Sequence, residues 1–390
     1  MSDIPPEIIT VILVRLPVKS LLRFRCVSKS WRSLIDGDYF VKLHLRHSAE
    51  TNSNRTLIME STKLFYLDLD SFERLDTGNL RFNSGYVSGT CNGLVLIVSM
   101  RSDVVFLWNP STRKLNEVPQ LKLNPDFYKL YGIWLGVERY ALGYDSKHDD
   151  YKVVGVARAY DGETLFSETK IYSLKTNSWK KVGDFPCISS GSGTWGIYLN
   201  DAVHAVVELE SDHCSVEVIM ALDLANEDYY EVSKPESAGV GCRLASVGVL
   251  VGCLAAVVVY GETNIVEIWV MKEYGVKGSW CKLICFDPSV PEILRVNLCP
   301  LACSKSGDEV LLNFDGMCLG WYDFGSKNAV VVACVEGMPD FLDAMTFDSR
   351  FDAWVCVASL VSPFKQSTRK GKEIKKKRDD FLSVGFKLVL

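Results

Sequence analysis

Two hydrophobic periods divide this chain. Over the first forty residues apolar positions recur at helical spacing, with Ile4, Ile8, Ile9, Ile12, Leu13 and Leu16 on one predicted face. Pro5 and Pro6 suit the first turn of that helix, and Asp3 stands where a side chain can cap its free amides. Pro17 disfavours helical geometry at Leu16, so the helix is expected to stop there. Residues 20–25 predict a second short helix, and Ser28 is the expected cap of a third carrying Trp31, Leu34 and Ile35. Asp38 is placed to cap a fourth through Leu45, followed by a polar linker over residues 48–54. So small a unit cannot bury its own apolar surface. It is either a subdomain packed on the rest of the chain or a docking module completed by a partner.

From Arg55 onward the helical period gives way to short Val-, Ile-, Leu- and aromatic-rich runs between turn residues, the pattern of an all-β domain. Residues 64–69, 93–98 and 104–108 read as strands, the last ended by the turn Asn109-Pro110-Ser111-Thr112. A strand ending in a polar turn and followed by a tryptophan or tyrosine strand then recurs. The instances are residues 107–114, 171–179, 221–229, 268–280 and 320–325. Intervals of roughly 40–65 residues suit four-stranded blades, predicting a β-propeller of five or six irregular blades, with a β-sandwich pair as the alternative. The predicted class is α+β multidomain: a small N-terminal three-helix module (1–46) and an all-β, propeller-like domain (55–364). A basic flexible segment (365–380) and a terminal strand (381–390) are expected to follow. In that strand Leu382, Val384, Phe386, Leu388 and Leu390 alternate with other residues, and it is predicted to close the ring by pairing near residues 56–69.

Charge sharpens this division. Residues 1–46 carry a net +4, residues 47–364 a net −15 and residues 365–378 a net +7, within an overall −5. The acidic main body argues against nucleic acid as the principal partner. The N-terminus lacks the basic-then-apolar pattern of a signal peptide, and the apolar run 247–260 is too short to span a bilayer, reading instead as strands around Gly252. The thirteen cysteines have no framework spacing and read as reduced core thiols; Cys281/Cys285 and Cys299/Cys303 have no histidine near in sequence to complete a zinc set. The sequon Asn54-Arg55-Thr56 is expected to be unused.

Catalytic chemistry finds little support. There is no phosphate loop or dinucleotide fingerprint, and Gly191-Ser192-Gly193 lacks the nucleophile-elbow frame. His44, His47, His148, His204 and His213 form no ligand pair on a common face, and Asp145, Asp149 and Asp150 share a loop with Lys147 and His148 that reads as a turn rather than a calcium site. No cofactor or metal is expected.

The residue pattern adds a resemblance. Ile4-Pro5-Pro6-Glu7, Arg15-Leu16-Pro17-Val18-Lys19-Ser20-Leu21 and Arg25-Cys26-Val27-Ser28-Lys29-Ser30-Trp31 resemble the F-box of plant proteins. Cys91-Asn92-Gly93-Leu94, residues 107–113, residues 142–145 with 150–154, and residues 171–174 with Ser178-Trp179 resemble the kelch-related F-box-associated domain, although the paired glycines of regular kelch blades are missing. This resemblance implies a non-catalytic substrate receptor of a Skp-cullin-F-box ubiquitin ligase, and the reduced cysteines point to cytoplasm and nucleus. Matched to the motif, Ile4, Pro5, Leu16, Pro17, Leu21, Val27 and Trp31 are candidates for the interface with the Skp-type linker protein, and through it with cullin. For Trp31 a place in the module's core is an equal alternative. Trp134, Tyr140, Tyr160 and Trp195 are guesses for target contact, with a core position the commoner fate of such aromatics. Lys375, Lys376, Lys377 and Arg378 form a nuclear-import candidate beside the reading of a solvated loop. Residues 151–154, 166–179 and 377–382 look most like defence-regulating members, which implies an intracellular leucine-rich-repeat immune receptor as target. Pollen self-incompatibility receptors are the competing branch. A propeller scaffold without ligase output, or one that binds a carbohydrate or small molecule, stays open at this point.

Overall fold

The structure, a computed structural model, describes residues 5–60, 64–73, 75, 85–99, 104–122, 133–160, 165–186, 195–211, 214–236, 238, 241–263, 265–286, 298–332 and 351–365. Four helices open it: α1 Pro6–Leu13, α2 Val18–Phe24, α3 Lys29–Ile35 and α4 Asp38–Glu50. Pro5 occupies the cap position of α1 and Pro6 its first turn, while Asp3 and Ile4 lie outside the described residues. α1 ends at Leu13, earlier than the proline alone dictates, and Pro17 caps α2. Ser28 is extended (φ −156°, ψ 162°) and its Oγ accepts a hydrogen bond from Trp31 N at 3.1 Å, the predicted cap.

The fourth helix departs from expectation. It starts after Gly37 rather than being capped by Asp38, and continues to Glu50 instead of Leu45. Its inward stripe is Phe40, His44 and Ser48, so two of the three buried positions are polar and invisible to a hydrophobic count. Ser48 Oγ accepts from Asn54 Nδ2 at 2.9 Å, and His44 Nε2 lies 2.9 Å from Leu16 O while its buried Nδ1 has no partner among the described residues.

Six sheets follow, so the blade number is six. The first and last parts of the chain share one sheet: β1 Arg55–Glu60, β2 Leu64–Asp68 and β23 Asp352–Val357. The others are four-stranded meanders. They are β3 Gly85–Cys91, β4 Leu94–Ser99, β5 Val105–Asn109 and β6 Lys114–Val118; β7 Ile133–Asp145, β8 Asp150–Tyr160, β9 Leu165–Ser173 and β10 Ser178–Gly183. Next come β11 Trp195–Leu199, β12 Ala202–Ser211, β13 Cys214–Asp223 and β14 Tyr229–Val232, then β15 Cys242–Leu250, β16 Cys253–Tyr260, β17 Val266–Met271 and β18 Trp280–Phe286. The ring is completed by β19 Leu298–Cys303, β20 Glu309–Phe314, β21 Cys318–Asp323 and β22 Asn328–Val332.

The sequence repeat is the outer hairpin of the blades, and a shared turn explains four of its five instances, the exception being 268–280, where β17 ends on Met271. At the end of the third strand Asn109, Ser173, Asp223 and Asp323 each accept the amide three residues on, from Thr112 (3.0 Å), Thr176 (3.0 Å), Asn226 (2.8 Å) and Ser326 (2.6 Å). The fourth residue on takes positive φ every time: Arg113, Asn177, Glu227 and Lys327. Asp68 and Phe72 repeat the arrangement after β2. Blade-to-blade clusters of buried side chains then form the core, with Leu94, Leu96 and Leu107 against Leu142 and Val153, and Val154 against Val203 and Ala205. Every inner strand from β3 to β19 carries a bulge, which adds the twist a tight ring demands.

The ring closes through residues 352–357. β1 is flanked on both edges, by β2 (Thr56 opposite Asp68) and by β23 (Arg55 opposite Val357, Glu60 opposite Asp352). The outer edge of β2 is bonded in turn, Asp68 N to Glu73 O and Leu75 N to Tyr66 O. Among the described residues, it is the pairing of 352–357 with β1 that makes this closure. Residues 366–390, with the expected strand and Lys375–Arg378, lie outside the described residues.

Antiparallel alternation sorts the connections. The first-to-second and third-to-fourth turns of each blade emerge on one face; the second-to-third and blade-to-blade connections leave on the other. The helical module sits on the first. Val41 and Leu45 of α4 pack against the cluster holding Cys91, Leu94, Tyr144 and Tyr151, and Lys42 Nζ meets Asp149 in the β7–β8 turn at 2.7 Å.

Candidate functional site

In the helical module Leu13, Val14, Leu21, Ile35 and Phe40 make a small core. What that core leaves outside is unusual: Ile8, Val11 and Ile12 of α1 are about half exposed (50%, 49% and 51%), and Val27 is 60% exposed. The first three lie at i, i+3 and i+4, one continuous stripe on the helix. Of the candidates read from the motif, Pro5, Pro17 and Val27 are exposed. Leu16 is half-buried against the module core, and Trp31 is half-buried with its ring edge-on to Phe24 at 5.7 Å. Leu21 is fully buried and belongs to the core rather than to a surface, because α2 is a short helix whose one inward stripe must fill the module. Ile8, Val11 and Ile12 are the surface residues the motif did not supply. The signal was present: α1 is apolar nearly all round, so one helix face could not absorb every apolar residue.

The aromatic guesses in the propeller separate. Tyr140 is buried, and its carbonyl accepts from Ser88 Oγ of the preceding blade and from Trp195 Nε1 at 2.8 Å. Tyr140 is therefore part of the inter-blade core and not a contact residue, since β7 places it between two sheets. Trp195, on inner strand β11, lines the central channel while its indole N–H stays on Tyr140 O. The side chains of Trp134 and Tyr160 lie outside the described residues, although both positions fall on blade-two strands.

The channel holds a cavity of roughly 650 Å³ lined chiefly by inner strands, including Trp195, Ser246, Cys299, Pro300 and Trp354, with Asn313 of β20 beside them. Its described charged lining is acidic, Asp315 and Asp352, with no lysine or arginine. At the ring's seam Glu60 accepts from Val87 N of the next blade; burial, with Asp352 opposite, pushes its carboxyl up to about 7. Burial also lifts the Cys299 and Cys356 thiols to about 12, far from nucleophilic use at neutral pH.

Other titratable groups are engaged in structure. His204 is buried, with Nδ1 3.1 Å from Ile197 O and Nε2 2.6 Å from Tyr274 Oη, and burial lowers it to about 4. Asp145, proposed as a turn residue, is one: it accepts from His148 N at 3.0 Å and meets Lys152 Nζ at 2.9 Å. Burial raises its carboxyl, but Lys152 and His148 outweigh that and hold it below the ordinary range. No group of three or more His, Cys, Asp or Glu able to hold a metal occurs among the described residues. Asn54 donates to buried Ser48 and Thr56 is buried, so the sequon is built into the module–propeller junction.

Comparison with known proteins agrees with both modules. The F-box domain model matches residues 1–43, and the F-box associated beta propeller domain model matches residues 52–362. F-box protein CPR1 of Arabidopsis thaliana is 30% identical over the whole of both chains. An F-box/kelch-repeat protein of the same plant is 31% identical, covering 93% of this chain and 96% of that one. A helical module with an unfilled apolar stripe, seated on a six-bladed ring with asparagine- and aspartate-capped outer hairpins, thus has a known setting: the chain belongs to the F-box proteins with an F-box-associated propeller domain.

Proposed function

We propose that this chain is the substrate-recognition subunit of a Skp-cullin-F-box ubiquitin ligase. The observation that carries the reading is the stripe Ile8, Val11, Ile12 with Val27, exposed on a module that the propeller does not cover. A Skp-type linker would bury that stripe and join the chain to cullin. The chain itself performs no bond chemistry; it holds a target beside the ubiquitin-charged enzyme and raises the effective concentration of the target's lysines. The target binds the propeller away from the helical module. Full-length similarity to F-box protein CPR1, with the resemblance of residues 151–154 and 166–179 to defence-regulating members, supports an intracellular leucine-rich-repeat immune receptor as that target. The basic residues Lys375–Arg378 support action in the nucleus as well as the cytoplasm.

The test is affinity for a purified Skp-type linker. Wild type is expected to bind tightly, and the double variant Ile8→Asp/Ile12→Asp to lose on the order of 2 kcal/mol or more, about thirtyfold, with its helical circular dichroism unchanged. Intact folded wild type that fails to bind would remove the ligase reading and leave a propeller scaffold. Proteomics after proteasome inhibition then separates an immune receptor from a pollen ribonuclease as the stabilised target.

A further inference from the structure

Residues 358–363, which follow the last strand, touch both modules at once. Ala358 N donates to Asn54 O at 2.7 Å, the residue joining α4 to β1. Ser359 is fully buried and its Oγ donates to Asn92 O at 2.8 Å in the β3–β4 turn. Leu360 packs on the helical module's core, beside Leu13, Leu21, Ile35 and Phe40, whereas Val361 next to it enters the propeller cluster of Leu94, Leu107 and Leu142. Asn116 Nδ2 donates to Pro363 O at 2.9 Å.

Asn109 is the anchor. It is fully buried, and its Nδ2 donates to two carbonyls of the segment, Ser359 O at 3.1 Å and Val361 O at 2.7 Å, while its Oδ1 caps the β5–β6 turn. The equivalent position in the β7–β10 sheet is Ser173, which caps its own turn with one oxygen and has no second amide group to give. The amide of Asn109 therefore does something the turn does not need. Gly93 completes the fit: at φ +85° in the β3–β4 turn, a Cβ there would lie 2.1 Å from Ser359 Oγ, so the turn leaves room for the segment only without a side chain.

We infer that residues 358–363 form a strap that fixes the angle at which the F-box stands on the propeller, with Asn109 and Leu360 as its positioning residues. This rests on the reading of the helical module as the linker-binding unit. Two adjacent side chains, Leu360 and Val361, enter the two cores in opposite directions, so the modules cannot rock apart without withdrawing one of them. Val41 and Leu45 of α4 meet the same propeller cluster as Val361, and the Lys42–Asp149 pair joins the helix to the β7–β8 turn. In a receptor whose output depends on where it places a target, that angle is a working part of the molecule.

The Lys42–Asp149 pair offers the readout, since its 2.7 Å contact is solvent-accessible and a carbodiimide joins such a pair only while it is in contact. The full chain is treated with carbodiimide, and the Lys42–Asp149 peptide is quantified by mass spectrometry in wild type, Asn109→Ser and Leu360→Ala. Serine keeps the turn cap, as Ser173 does, and removes only the two strap bonds. Both variants are expected to lose most of the cross-linked peptide while helical circular dichroism and affinity for the Skp-type linker stay at wild-type values. Unchanged cross-linking in both variants overturns the inference. So does cross-linking that falls only together with helical signal, because the strap would then support folding and not position. If wild type binds no linker, the ligase reading fails, yet cross-linking and helical signal still decide whether the strap positions the module.

Discussion

The helical module and the propeller solve the burial problem in opposite ways. Of the eleven exposed large hydrophobic residues among the described ones, five lie in the first 39 residues: Ile8, Val11, Ile12, Val27 and Tyr39. The propeller, several times longer, has the remaining six scattered over turns and outer strands, with Phe364 just past the strap. A ring of blades lets each sheet bury both faces against its neighbours, so it needs nothing from outside. Four short helices around five core side chains cannot do so. Their surplus goes partly to the propeller, through Val41, Leu45 and Leu360, and partly to the surface. Self-sufficiency makes the propeller a platform; insufficiency makes the F-box a docking piece.

The hardest challenge to this contrast is to hollow the ring. Trp108, fully buried between the first and closing blades with Tyr66 and Trp354, should cost about 3–5 kcal/mol as Trp108→Ala in urea unfolding, because the cavity cannot refill. A loss below about 1 kcal/mol would mean the seam is not well packed, and the ring would not be the self-sufficient partner.

The seam's electrostatics come next. Glu60 rises from 4.5 to about 7 in the fold, so the native state holds its proton more tightly than the unfolded chain. That contribution is fully present below pH 4.5 and disappears as pH rises through 7. Wild type should therefore lose on the order of 1–3 kcal/mol relative to Glu60→Gln across that window, read as the difference between their stability–pH curves. The difference is the right quantity because His204, lowered to about 4, acts oppositely and withdraws stability as pH falls. Parallel curves would show that Glu60 is not constrained by the seam.

Smallest is the module's own cap. Ser28→Ala should cost about 1 kcal/mol, visible as faster amide exchange in α3 while the propeller's exchange is unchanged. Equal acceleration in both modules would show that they unfold as one unit and blur the contrast.

Local signals were legible where one residue's chemistry decides the geometry. Ser28 before a helix and the polar residue ending the third strand in five of the six sheets could be read directly, because an oxygen two or three residues from free amides caps them whatever lies beyond. Prediction failed where the answer depended on distant contacts. α4 runs past Leu45 because His44 and Ser48 are core residues in polar form, held by contacts to Leu16 and Asn54. Tyr140 and Leu21 resembled contact residues and are interior ones. The strand at residues 352–357 has no strong local period, because its fitness lies in pairing with Arg55–Glu60 some three hundred residues away.

By itself, then, the sequence determined the two modules, their secondary-structure classes, the repeating hairpin and the family's motifs, since these follow from periodicity and from side chains acting on their own backbone. Tertiary structure alone decided the six blades, the strand that closes the ring, which residues of α1 face outward, and how the F-box is strapped to its platform. Each of these depends on which surfaces meet after the chain has folded back on itself, and burial is a property of the pair of surfaces and not of either one.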